Sequence, residues 1–174
     1  TAMRRNARPR FAILPVLALF FSVDSAAAPF VSIHDIQHTL LPGGNSPYDG
    51  QAVETSGVVT AVYPSGFVIQ EGPSAPWSGL WVYDPNHRPD VGDSLLVAGT
   101  IDEYFGLTEL GTITGCQVLV RGAMVPSPAV LPASALTTGS ATAEPYEGVL
   151  VRLASAQVAQ AAGIDGSWRL DDGS

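Results

Sequence analysis

Past residue 50 the chain falls into short apolar runs rich in β-branched and aromatic residues, each stopping at a cluster of Pro, Gly, Ser or Asp, and the run Leu95 to Ile101 alternates with period two. Period two puts alternate side chains on opposite faces of a sheet, so these runs predict strands. The first is AVETSGVVTAVY (Ala52 to Tyr63), closed by the turn Pro64-Ser65-Gly66 and followed by FVIQ (Phe67 to Gln70). The loop EGPSAPWSG leads to LWVYD (Leu80 to Asp84), and the polar turn DPNHRPDVGD leads to LLVAGTI (Leu95 to Ile101). In that fourth run Leu95, Val97, Gly99 and Ile101 alternate with Leu96, Ala98 and Thr100. After FGLTEL a fifth run, TITGCQVLV (Thr112 to Val120), completes the set.

Gly57 and Gly99 interrupt the first and fourth strands. Glycine inside a strand marks a bulge or sharp coil, which lets a small sheet curl and close. Five short strands of this kind predict an all-β fold, a five-stranded OB-fold-like barrel spanning 29–124. Residues 125–145 are Pro-rich and then small and polar, the composition of a linker. Beyond them the pattern repeats. YDGQAVETSGVVTAV (Tyr48 to Val62) is echoed by YEGVLVRLASAQVAQ (Tyr146 to Gln160), and GFVIQEG (Gly66 to Gly72) by GSWRLDDG (Gly166 to Gly173). The start of a second, truncated copy is therefore expected at 146–174, within a piece of a longer protein.

The N-terminal region has a different logic. Arg4, Arg5, Arg8 and Arg10 precede the apolar run FAILPVLALFF (Phe11 to Phe21), and Ser25-Ala26-Ala27-Ala28 follows. The run is too short to span a bilayer and stands before small residues, so 1–28 reads as a secretory signal peptide cut after Ala27 or Ala28, with an uncleaved anchor as the alternative. Without it the chain keeps four Arg, no Lys and fifteen Asp and Glu, a net charge of −11 with His neutral. Such a surface repels polyanions, which excludes tight nonspecific DNA binding through phosphates. The lone Cys116 cannot form an internal disulfide, and its strand context predicts a small buried residue.

Three groups of residues carry candidate chemistry. In SIHDIQHTL, His34 and His38 have the spacing of a zinc-protease pair. The middle acid is Asp35 rather than the longer Glu, Pro42-Gly43-Gly44 stops any helix, and no third ligand is evident. The stretch reads instead as one Ser32-capped turn that packs Ile33, Ile36 and Leu40 on the barrel. The second group is aromatic. With Leu80 and Val82 inward, Trp81 and Tyr83 face outward beside Gln70, with Trp77 and Arg88 in the flanking loops. OB-folds stack bases or sugars on this face; the same aromatics could equally be covered by a neighbouring domain. The third group is acidic: Asp84, Asp90 and Asp93 in one loop, with Asp102, Glu103 and Glu109 bordering the fourth strand. They lack a calcium-loop register and read as solvated turn carboxylates. Neither a G-x-S-x-G elbow nor a phosphate-binding loop is present.

Taken in order, IHDIQ, GVVTAV with GFVIQEG, GLWVYD, VGDSLLVAGTIDEYFGLTEL and EPYEGVLVRL resemble the OB-fold-like region of secreted bacterial multidomain proteins. Many of these are extracellular nucleases whose endonuclease/exonuclease/phosphatase domain lies further along the chain. The resemblance covers about residues 31–174. It implies a secreted, periplasmic or cell-surface accessory module without catalytic residues, metal ligands or a cofactor of its own, any divalent cation belonging to a downstream domain. Its implied partners are downstream domains of the same chain and, weakly, single-stranded nucleic acid, with no membrane contact after signal removal. Similar modules occur with lamin-tail, adhesive or surface-sorting domains, so a structural spacer remains the alternative. The Asn, Glu and paired His-Asp residues of the nuclease domain have no counterpart in these residues.

Overall fold

The structure, a computed structural model, describes residues 27–40, 44–137, 141–160, 163 and 169–171. The signal-like segment up to residue 26 lies outside them, as does most of GSWRLDDG apart from residues 169–171. Among the described residues no helix is long and apolar enough to cross a membrane.

One helical turn, α1 (Ile33–Gln37), leads into the barrel. Ser32 caps it: the Asp35 amide donates to Ser32 Oγ at 3.0 Å. The Glu71 carboxylate, distant in the chain, accepts the Ile33 and His34 amides at 2.9 and 2.7 Å, satisfying two donors that a helix start leaves free. Ile33 and Ile36 are fully buried as expected. Leu40 is 91% exposed, because α1 ends at Gln37 and leaves it beyond the turn that packs on the barrel.

Five strands follow: β1 (Ala52–Tyr63), β2 (Gly66–Gln70), β3 (Gly79–Tyr83), β4 (Ser94–Tyr104) and β5 (Leu107–Val120). They close into a barrel in the order β1-β2-β3-β5-β4. Every neighbouring pair is antiparallel except β3 and β5, where Trp81 lies opposite Glu109 and Val82 opposite Leu110. This is the strand order of an OB-fold, so the protein is an all-β, OB-fold-like barrel. The alternation in β4 is the predicted one: Leu95, Val97, Gly99 and Ile101 all point inward. Phe67, Ile69, Leu80 and Val82 fill the interior beside them. The filling is not wholly apolar, since the Thr55 hydroxyl is buried there and makes no hydrogen bond.

β4 and β5 run further than the sequence pattern indicated. They meet in a two-residue turn, Phe105-Gly106, with both residues left-handed at φ 53° and 81°. Turns of this geometry favour Asn-Gly or Gly-Gly, so a phenylalanine at the first position conceals the hairpin. The two interior glycines also divide. The β4–β5 register shifts around Gly99, where an added Cβ would strike the Gly111 carbonyl. Gly57 makes no bulge; it lies where β1 exchanges β4 for β2 as partner, and its closeness to the Gln70 backbone leaves little space for a side chain.

The stretch expected as a linker holds β6 (Ala129–Leu131) and 3-10 turns at Ala133–Leu136 and Glu144–Tyr146. β6 pairs in parallel with β7 (Val151–Leu153), and β8 (Gln157–Gln160) forms a hairpin with β9 (Arg169–Asp171). The same device opens the barrel, where Phe30 makes a parallel bridge with Glu54 of β1.

Between these elements, the chain from Glu144 to Leu150 lies on the barrel. The Trp77 amide donates to the Pro145 carbonyl at 2.5 Å, the Leu150 amide to Gln70 Oε1 at 2.8 Å and the Thr108 amide to Glu147 Oε2 at 3.2 Å. Burial pushes the Glu147 carboxyl up to about 7 against the Thr108 hydrogen bond, and Glu144 and Glu103 add to the rise. The unfolded chain gives up this proton near 4.5 and the folded chain only near 7. Stability is therefore lost as pH rises through that window, and the full penalty stands above it. Glu147→Gln keeps the acceptor for Thr108 and removes the charge. It is expected to gain on the order of 1 kcal/mol above neutrality, after allowance for partial exposure, and nothing at acidic pH. Melting temperatures of both proteins across this pH range check the sign.

Candidate ligand-binding face and a cluster of metal-ligand side chains

Because β3 alternates, Leu80 and Val82 are fully buried while Trp81 and Tyr83 project from the outer surface. Tyr63, at the end of β1, meets Trp81 edge-on with ring centroids 5.5 Å apart. Tyr63 is 52% exposed and Tyr83 48%. Trp81 lies between strands on either side, opposite Val68 of β2 and Glu109 of β5. Burial pushes the Glu109 carboxyl up, and Asp102 adds to it. Arg88 reaches over from the β3–β4 loop to donate to the Pro64 carbonyl at 2.8 Å and to its neighbour His87 O at 3.2 Å. These bonds set the exposed guanidinium beside the β1–β2 turn. Tyr63, Trp81, Tyr83 and Arg88 thus form one end of the β2–β3 face. Tyr63 was missed by the sequence reading because it belongs to a different strand.

Gln70 and Trp77 do not join them. Gln70 is fully buried, its side chain donating to Ser74 Oγ at 2.8 Å and accepting from Leu150. Trp77 takes a left-handed backbone conformation at φ 66°, meets His38 edge-on at 5.6 Å and lies under Pro145. Both sit at the end of the face that Glu144 to Leu150 covers. His34 and His38 stack with centroids 5.2 Å apart on the exposed side of α1. They belong to no three-ligand group among the described residues.

The acidic loop is more ordered than solvated turn carboxylates would be. Asp93 is 2% exposed, accepts the Asp90 amide at 3.2 Å and pairs with Arg121 at 3.1 Å. Asp84 is equally buried. Its Oδ1 accepts the amides of Asn86 and His87 at 2.9 and 3.2 Å, and its Oδ2 meets His87 Nδ1 at 2.5 Å. Burial opposes its ionisation, but these hydrogen bonds outweigh it and hold the carboxyl below its ordinary range. Cys116 arrives at the same place from β5. Asp84, His87 and Cys116 each bring one ligating atom within 4.8 Å of the others, the one such convergence among the described residues. Burial first, then the Asp84 charge, pushes the thiol up. This grouping is not legible in the linear chain, since Cys116 lies 29 residues beyond His87.

No protein-family model and no curated protein matches the chain. Among solved structures it is similar to the S. pombe Stn1–Ten1 complex, at 16% identity and a TM-score of 0.39, over 57% of this chain and 83% of that one. It is also similar to the telomere capping protein Ten1 from Saccharomyces pombe (18%, TM-score 0.36, 53% and 82%), and to the hypothetical protein ygiW from E. coli (13%, TM-score 0.34, 41% and 77%). Likenesses this loose add no weight, and the fold assignment rests on the chain's own strand order.

Proposed function

We propose that this chain is the non-catalytic accessory part of an exported protein, an extracellular nuclease, and that its barrel holds single-stranded nucleic acid for a catalytic domain further along the polypeptide. One observation carries the reading: Tyr63, Trp81 and Tyr83 gather on the outer face of the sheet with Arg88 pinned beside them. Unpaired bases stack on such side chains for about 1–3 kcal/mol each. With so few cations, affinity rests on stacking and is weak, with a shallow salt dependence. The tandem repeat belongs to the same proposal. The start of a second unit at 146–174 is supported by the parallel pairing of β6 with β7, which repeats the parallel bridge of Phe30 with Glu54 at the start of the first barrel.

Titration of the chain with oligothymidylate at low salt, with and without Mg²⁺, is expected to quench tryptophan fluorescence. Trp81→Ala is expected to abolish the binding with the melting temperature unchanged. A flat titration in both conditions would remove the stacking role. The docking of Glu144 to Leu150 favours a second reading, a spacer whose units brace one another. In that case Trp81→Ala lowers stability and no ligand responds.

A further inference from the structure

We propose that Asp84, His87 and Cys116 form a zinc site with three protein ligands, at the rim of the barrel next to the aromatic face. The cluster is built from two directions. Asp84 directly follows β3, and its Oδ1 fixes the loop by accepting two amides, which leaves Oδ2 free to face His87. That loop is tied to the β1–β2 turn, with the Asp84 amide donating to the Ser65 carbonyl at 3.1 Å and Arg88 to that of Pro64 at 2.8 Å. Cys116 comes from the far half of β5, opposite Val97. The barrel thus holds Asp84 and Cys116 on its framework, and His87 is the ligand with freedom to adjust, its side chain 49% exposed.

The shape of the cluster decides between two chemistries. A nucleophilic relay of Cys, His and Asp needs the carboxylate and the thiol on opposite edges of the imidazole, which separates oxygen and sulfur by about 7 Å. Here all three ligand atoms lie within 4.8 Å of one another. They form a triangle around one point, as three ligands of a single ion do. Thiolate, imidazole and carboxylate together select a borderline-soft ion of tetrahedral preference, which is Zn²⁺ rather than Mg²⁺ or Ca²⁺. On binding, the Cys116 thiol gives its proton to solvent and the Asp84–His87 contact opens to admit the ion. Three protein ligands leave the fourth position to water. The site is independent of the stacking role, since it needs none of Tyr63, Trp81 or Tyr83.

Cobalt reports on it directly. The metal-stripped, reduced full chain, titrated with Co²⁺, is expected to take up one equivalent. A thiolate-to-cobalt charge-transfer band and strong visible bands of tetrahedral geometry should appear, and Zn²⁺ should displace them. Cys116→Ala is expected to lose the charge-transfer band, and His87→Ala, at an exposed position, to weaken uptake at least about tenfold. Far-ultraviolet circular dichroism of both variants confirms that the barrel is intact. Absence of a charge-transfer band in the unaltered chain at millimolar Co²⁺ overturns the site, and so does equal cobalt affinity in His87→Ala.

Discussion

Phe67→Ala is expected to cost the barrel about 3–5 kcal/mol of folding stability, a loss large enough to leave it close to unfolding. Among the described residues Phe67 is the largest of the fully buried side chains, and it lies in a β2 of only five residues, between Val62 of β1 and Val82 of β3. Neither neighbour can move into the vacated volume without breaking the ladder that closes the sheet, so a cavity remains. Reinforcement from elsewhere is slight: Cys116 is the only cysteine, and no disulfide can form within the chain. Urea unfolding followed by circular dichroism should show a lower midpoint at an unchanged slope. A midpoint within experimental error of the unaltered chain would mean that the barrel interior is not what holds the fold.

The second large effect is expected at Gly79, and it separates the barrel from what is docked on it. An added Cβ there would land on the backbone of Gly148 and lie 2.5 Å from the Val149 nitrogen. Backbone on both sides cannot yield as a flexible side chain would. Gly79→Ala should therefore lift Glu144 to Leu150 away, breaking the hydrogen bonds to Pro145, Glu147 and Gln70 and exposing Val149, which is 8% accessible. At about 0.5–1.5 kcal/mol per bond, the docked state loses on the order of 2–4 kcal/mol. Hydrogen exchange gives the readout: the Leu150 and Trp77 amides should exchange at least tenfold faster while Ile69, inside the barrel ladder, keeps its protection. Unchanged exchange at Leu150 would show that the contact is not tight.

Both positions bear on how much the linear chain reveals. Leu95, Val97 and Ile101 were legible as sharing one face of a strand, and Trp81 and Tyr83 as outward-facing, because alternation in a strand depends only on neighbouring residues. Leu40 was misjudged for the opposite reason, since its position depends on where α1 stops. Gln70 has the parity of an outer-face residue and is nevertheless buried, because Leu150, eighty residues later, bonds to its side chain. Periodicity states which face a side chain takes, not what comes to cover that face.

The sequence by itself determined that five strands are present, which sides of β3 face in and out, and hence the OB-fold-like barrel, since local alternation and turn chemistry are written in adjacent positions. Only the tertiary structure decided that Tyr63 joins Trp81, that the far end of the β2–β3 face is occupied, and that Cys116 meets Asp84 and His87. Each of those meetings joins residues on different strands or loops. Which of them touch follows from how the strands pair when the barrel closes, a property that no window of neighbouring residues contains.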